Sequence, residues 1–417
     1  MHKSKIAKDQ KGFGHILILI LVTLAVAIVG YAWYRVHKVN HLANQGHTYP
    51  APGQACGNQK EFFTVSPIKD ADLVSIIPLG NPNPPAHIFP TDHVYFFLRR
   101  SGPSPKPGLL GPAAEVPVLS PGDIRILTIS AKEYLTGGPH HTDYEVDFAP
   151  CKEVQGRFDH LSSLSAKQLS AFNSAKGDCQ TSSPNSGTTI KFCRRSIGSS
   201  LKTGEDVGTA GGKNGSNNLD FQLSDQRTPP LAYANPTRWQ RGGEHVVCPV
   251  DYFSEPTKSA LEKLFGDSFG ARRTIAPVCG SVAEDVKATA QGVWFSPGKP
   301  TYPEDQHIAL VPDNINPAQL VFSIGQSLKE IGINPEKYVF LPSTTGNINK
   351  DFKSLTSNGR VYCYQTSVHG LSSQFGNRTE VLLLQLINEA TLRIGPGSGS
   401  SCSNEPWSFI AYKDFER

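Results

Sequence analysis

HVYFFLRR (93–100), AEVPVLSP (114–121), DIRILTIS (123–130) and DYEVDFAP (143–150) are four short apolar runs separated by Gly- and Pro-containing stretches. Each is too short for a stable helix and rich in β-branched or aromatic residues, so each reads as a strand that needs cross-strand partners to bury its apolar side chains. FFTVSPI (62–68) precedes them in the same style, and LDFQLSD (219–225) follows a loop rich in Gly, Asn and Ser, GEDVGTAGGKNGSNN (204–218). SAKQLSAFNSAKG (165–177) is the one helix candidate in this half, with Ser165 placed as its N-cap. The expectation is a strand-dominated domain over residues 61–243.

Beyond RTPPLAYANPTRWQRGG the composition changes. EPTKSALEKLFGDSF (255–269) reads as a short helix, while HIALVPD (307–313), QLVFSIG (319–325), VYCYQTS (361–367), EVLLLQLINEATLRIG (380–395) and WSFIAYKDF (407–415) read as strands. A second β-rich domain is therefore expected over 244–417, as an antiparallel meander or small barrel. Trp294 reads as a core or rim aromatic, with a sugar-stacking platform as the alternative.

The chain of 417 residues also begins with an apolar run, FGHILILILVTLAVAIVGYAWY (13–34), free of Asp, Glu, Lys and Arg. At 1.5 Å per residue it would reach about 33 Å as a helix, enough to cross a bilayer core. The flank at 1–12 carries four lysines and one aspartate, so the positive-inside rule keeps it in the cytosol and sends the rest outside. The expected layout is a cytosolic basic segment (1–12), a single-pass anchor (13–34), a linker (35–60) and two extracytoplasmic domains in the cell membrane's outer space. Outside residues 1–40 the charges nearly cancel, 34 Lys and Arg against 35 Asp and Glu, so no nucleic-acid partner is expected. Eight cysteines, all after the anchor and without a CxxC, point to disulfides rather than thiolate metal sites, with Cys179–Cys193 a plausible local staple.

Three stretches carry a family resemblance. AEVPVLSPGDIRILTIS (114–130) is similar to a compact apolar hairpin, EVDFAPCKEVQGRFDHLSSLS (145–165) to a strand leading into Tyr-x-His-Leu, and LKTGEDVGTAG…NLDFQLSD (201–225) to a Gly-rich turn before a His-x-His strand. In that order they resemble the M23, LytM-like zinc peptidases that cut peptide crosslinks of bacterial cell walls, over about residues 74–225. The resemblance implies an antiparallel β domain, a zinc bound by a His, by an Asp four positions later and by the second His of His-x-His, and two further histidines acting on water and the transition state. This chain departs from that pattern. His87 and Asp92 are five positions apart, the Tyr-x-His-Leu counterpart is Phe158-Asp159-His160-Leu161, and the His-x-His counterpart is Asn218-Leu219-Asp220.

The resemblance thus implies His87, Asp92 and Asp220 as metal ligands and His160 as the catalytic residue. Asn218 cannot replace a basic imidazole, because an amide takes up no proton at neutral pH. A different constellation is offered by His93, His140, His141 and Asp143, whose motifs PAHIFPTDHVYFF and GGPHHTDYEVDF could bring further donors together. The fold class expected is mainly β: one transmembrane helix, an M23-like antiparallel β domain and a second β-rich domain. The function expected is a membrane-anchored, non-catalytic module that binds cell-wall peptide or envelope glycan or serves a structural role, with no cofactor. The alternatives are a zinc-dependent wall peptidase or amidase with non-standard ligands, and a pilin-like adhesion subunit. The last is weakened by Leu17, which stands where pilins carry Glu.

Overall fold

The computed structural model describes residues 53–103, 111–185, 188–212, 216–239, 243–368, 379–402 and 405–417. The basic segment, the apolar run 13–34 and most of the linker 35–60 lie outside the described residues; among the described residues no helix is long and apolar enough to cross a membrane. The protein is mainly β.

Among the described residues the first sheet has twelve strands, beginning with β1 (Leu73–Ile77), β2 (Val94–Leu98), β3 (Val116–Leu119), β4 (Ile124–Tyr134), β5 (His141–Ala149) and β6 (Val154–Leu164). It continues with β7 (Cys179–Asn185), β8 (Thr188–Ser196), β9 (Ser200–Leu201), β10 (Asp206–Ala210), β11 (Asn218–Asp225) and β12 (Val246–Val247). Its main path runs β1-β2-β11-β6-β5-β4-β8-β7. Period-two alternation gives this sheet two unlike faces. Val94, Phe96, Leu98, Val146, Phe148, Phe158, Leu219, Phe221 and Leu223 enter one core. The intervening residues, among them Arg157, Asp147 and Arg194, form a polar face. Gly156 sits in β6 because a Cβ there would come within 2.5 Å of the Phe148 ring.

Helix α1 (Ala166–Ser174) starts where its cap predicts, Ser165 accepting from the Gln168 N–H. Helix α2 (Thr257–Glu262) is the short element expected in 255–269. The segment between the sheets folds back on the first core, through bridges Phe63↔Phe253, Ile76↔Phe265 and Leu79↔Gly280 and through buried Val250, Tyr252, Leu261 and Val282.

The second sheet is an antiparallel meander of β13 (Gly292–Trp294), β14 (Ile308–Pro312), β15 (Leu320–Ile324), β16 (Lys337–Phe340), β17 (Tyr362–Val368), β18 (Thr379–Asn388), β19 (Thr391–Pro396) and β20 (Lys413–Glu416). A bridge between Phe295 and Glu416 brings its two ends together, so it is nearly closed into a barrel. The run 380–395 is a hairpin of two strands rather than one, because Asn388 and Ala390 turn the chain with an Asn388 side-chain acceptor. The interior is packed with Trp294, Phe322, Tyr338, Phe340, Phe352 and Tyr364. Trp294 is fully buried and donates to the Ala290 carbonyl, so its ring is core and not an exposed platform. Val293, Phe295, Ala309, Val311, Val321 and Val339 point the other way, into the first core. Both faces of β13–β16 are therefore covered, which is why these strands read as unbroken apolar runs.

All eight cysteines are paired, as Cys56–Cys151, Cys179–Cys193, Cys248–Cys279 and Cys363–Cys402. The staple between Cys179 and Cys193 joins directly opposed residues of β7 and β8.

Candidate functional site

The polar face of the first sheet collects the chemistry. In β11, Leu219, Phe221 and Leu223 turn to the core, so Asn218, Asp220 and Gln222 turn to the opposite side. Asp220 stands between Tyr95 of β2 and Asp159 of β6 in register. His93, immediately before β2, approaches it from one side, and His160 of β6 from the other.

His160 is aimed by the backbone. Pairing of β6 with β5 slips between Tyr144 and Val146, where Asp159 and His160 together oppose Glu145. Within this bulge His160 adopts φ 68°, a left-handed conformation uncommon for a residue with a side chain. Such an outlier marks a position the surrounding structure holds in place.

The contacts form an alternating chain of carboxylates and imidazoles. Asp143 Oδ2 lies 3.1 Å from His160 Nδ1. His160 Nε2 lies 3.5 Å from Asp220 Oδ2, which lies 3.2 Å from His93 Nε2. His93 Nδ1 is 2.9 Å from Asp92 Oδ1, and Gln222 donates to the other Asp92 oxygen at 2.6 Å. The His93–Asp220 contact is an ion pair rather than an aligned hydrogen bond, leaving the buried His93 Nε2 without a good acceptor. Asn218 also donates to Asp220.

Burial opposes charge on every member, and the alternation overcomes it. Desolvation pushes His93 down, yet the Asp220 charge and the Asp92 hydrogen bond lift it well above the ordinary histidine range. His160 follows the same balance, its burial outweighed by Asp143 and Asp220, and is raised to about 9. Burial would raise Asp92 and Asp220, but His93 holds both below the usual carboxylate value, with His160 adding to the effect on Asp220. Tyr95, buried against His93 with ring centroids 4.7 Å apart, is pushed up to about 12, chiefly by desolvation. The alternation thus favours the protonated imidazole at His93 and His160 and the ionised carboxyl at Asp92 and Asp220.

Two cavities flank this chain. The larger, about 350 Å³, is lined by His87, Asp92, His93, Arg157, Asp159, Asp220, Gln222 and Glu304 together with Phe89, Tyr233, Trp239 and Tyr302. The smaller, about 270 Å³, is lined by Tyr134, His141, Thr142, Asp143, His160, Leu161, Ser162 and Ser216. The C-terminal half completes the larger one. Glu304 Oε2 accepts from the N–H groups of Ile88 and Phe89 at 2.9 and 3.0 Å, and its Oε1 lies 3.7 Å from His87 Nδ1. His307 stacks on Phe89 at 5.4 Å. The loop that carries His87 is thereby clamped by residues more than 200 positions away.

His87, Asp92, His93 and Asp220 share the larger cavity, and His160 meets them through Asp220. Asp143 joins from the smaller cavity. His140 does not join: it is exposed and pairs with Glu133 at 3.2 Å. His141 stacks on Tyr134 with ring centroids 4.4 Å apart and an interplanar angle of 6°. Arg157, Asp159 and Gln222 are site residues that period-two alternation next to Phe158 and Asp220 signals; Glu304, Tyr302, Tyr233 and Trp239 carry no local signal at all.

A zinc site needs three donors around one point with an open fourth direction. Among the described residues, two groups of three His, Cys, Asp or Glu bring one donor atom each within 4.8 Å of one another: Cys56, Cys151 and Glu153, and Asp143, Asp159 and His160. The first contains a disulfide, which offers no thiolate. In the second, Lys132 Nζ stands 3.6 Å from Asp159 Oδ2, so a side-chain cation already serves that carboxylate. His87, Asp92 and Asp220 form no such group, and the donors of Asp92 and Asp220 are turned to His93. The residues as arranged do not fit a zinc ion held by His87, Asp92 and Asp220.

Comparison of the chain with family models, with curated proteins and with solved structures finds no match.

Proposed function

We propose that the protein is a membrane-anchored, extracytoplasmic module that binds peptide of the cell envelope in the larger cavity without cleaving it. The observation that carries this reading is the chain Asp143–His160–Asp220–His93–Asp92, in which imidazolium groups neutralise the carboxylates where the resembled wall peptidases put a metal and its base. A histidine held protonated by two carboxylates is a poor general base, because it has no lone pair to offer near neutral pH. The cavity beside it suits a peptide. Its lining mixes polar side chains, among them His87, Arg157, Gln222 and Glu304, with aromatic walls from Phe89, Trp239 and Tyr302. The polar backbone of a short peptide finds hydrogen-bonding groups there, and its side chains find apolar surface. The four disulfides accord with an oxidising compartment outside the cytosol, as the apolar run 13–34 leads one to expect.

The test uses the full chain in detergent. Calorimetry with a synthetic wall stem peptide should show saturable binding, weakened at least tenfold by Asp220→Ala, while purified walls incubated with the protein yield no new amino termini. Stoichiometric zinc together with release of amino termini that His160→Ala abolishes would replace this reading by the zinc peptidase.

A further inference from the structure

The smaller cavity differs in chemistry from the larger one. Its walls carry the hydroxyls of Tyr134, Thr142, Ser162 and Ser216 and the carboxylate of Asp143, with neither lysine nor arginine among the lining residues and Leu161 as the one aliphatic side chain. A phosphate would find no cation beyond His160, which Asp143 and Asp220 already neutralise. A lipid chain would find too little apolar wall. What remains suited is a ligand that carries hydroxyls on a ring with an apolar C–H face. Groups that both donate and accept, as hydroxyls do, match vicinal hydroxyls of a sugar, and a carboxylate accepts from them more strongly. Tyr134 and His141, whose rings stack on each other, both line the cavity, and aromatic rings are the kind of surface on which the C–H face of a pyranose packs. At about 270 Å³ the space suits one sugar ring rather than an oligosaccharide.

Position ties this cavity to the other. His160 lines the smaller cavity and Asp220 the larger, and their side chains lie 3.5 Å apart. From these facts we infer that the smaller cavity binds one pyranose ring of a saccharide, so that a wall fragment carrying sugar and peptide in covalent linkage occupies both cavities side by side. The sugar site stands on its own walls; only the side-by-side placement rests on the peptide reading above.

Three probes separate the possibilities on the full chain: the stem peptide alone, the wall amino-sugar disaccharide alone, and the fragment in which the two are joined. Calorimetry or ligand-detected NMR should show saturable disaccharide binding that Tyr134→Ala weakens at least tenfold while leaving peptide affinity unchanged. The joined fragment should bind at least tenfold more tightly than either part, because the second contact becomes intramolecular. Should Tyr134→Ala lower the melting temperature sharply, Ser162→Ala and Thr142→Val read the same wall at smaller structural cost. Absent disaccharide binding, or binding indifferent to all three substitutions, overturns the inference. Peptide binding without disaccharide binding sinks the sugar site and leaves the peptide reading intact; disaccharide binding without peptide binding does the reverse.

Discussion

Phe322 and Asp147 both lie on the side of their sheet turned away from the core that the two sheets share, yet one is packed among aromatic rings and the other sits between two arginines. The second sheet deals with its outer face by curling until β13 and β20 nearly meet, filling the interior with Trp294, Phe322, Tyr338 and Phe352. The first sheet stays open and covers its outer face with ion pairs: Arg157 and Arg194 each approach Asp147 at 2.8 Å, and Arg194 reaches Glu145 at 3.4 Å. The interior of the second sheet is packed with these side chains. An open polar face can become a site wherever its charges are arranged around a space, and the two cavities lie there.

The comparison can be broken most forcefully in the barrel. Trp294→Ala should cost about 3–5 kcal/mol, read from the denaturant midpoint, because a fully buried aromatic leaves a cavity that its rigid neighbours cannot fill. A loss below about 1 kcal/mol would show that aromatic filling is not what holds the barrel. Next in size, replacing Cys56 and Cys151 together by Ser opens a loop of 95 residues and should cost about 2–4 kcal/mol in the same measurement.

On the polar face, Asp220→Asn should cost about 2–3 kcal/mol, less than the loss of a fixed buried charge partner, because His93 and His160 can shed protons in response. NMR titration of the two imidazoles should then show both pKa values falling toward the ordinary histidine range; unchanged values would dissolve the chain as a unit. The pH profile of stability sharpens the same point. His93 and His160 have folded pKa values above 6.5, so their contribution is complete below pH 6.5 and is lost as pH rises, through about 9 for His160. Asp92 and Asp220 are held below 3.8, so theirs is present above that value and is lost as pH falls through the depressed pKa values. Thermal melts should peak between about pH 4 and 6.5, and the Asp220→Asn profile should be flatter on both sides. The smallest effect is expected at His140→Ala, within about 0.5 kcal/mol, since its pair with Glu133 is exposed. A larger loss there would mean that the edge of the face matters as much as its centre.

Much of the strand content is legible locally. HVYFFLRR, DIRILTIS, DYEVDFAP, QLVFSIG and VYCYQTS each become a strand with boundaries close to the expected ones, and Ser165 caps its helix, because side-chain period and capping chemistry act over a few residues. WSFIAYKDF yields strand only from Lys413 onward, and FFTVSPI contributes a single bridge at Phe63, because an apolar run becomes a strand only where a partner edge is offered. The hairpin of β7 and β8, polar at its start, carries no apolar pattern to announce it.

What the sequence determined by itself is the chemistry available: an even set of cysteines, alternating strands, and an excess of His and Asp in the motifs around residues 87–93, 140–143, 158–161 and 218–220. Which of these groups meet was decided by the tertiary structure. A bulge of one residue turns His160 toward Asp220, strand register sets Asp220 opposite Tyr95 and Asp159, and Glu304 arrives from the other half to clamp the His87 loop. Propensity and periodicity are properties of neighbours along the chain, whereas ion pairing needs atoms within a few ångströms in space, and only the folded sheet brings together a carboxylate and an imidazole such as Asp220 and His93, which the sequence keeps 127 residues apart.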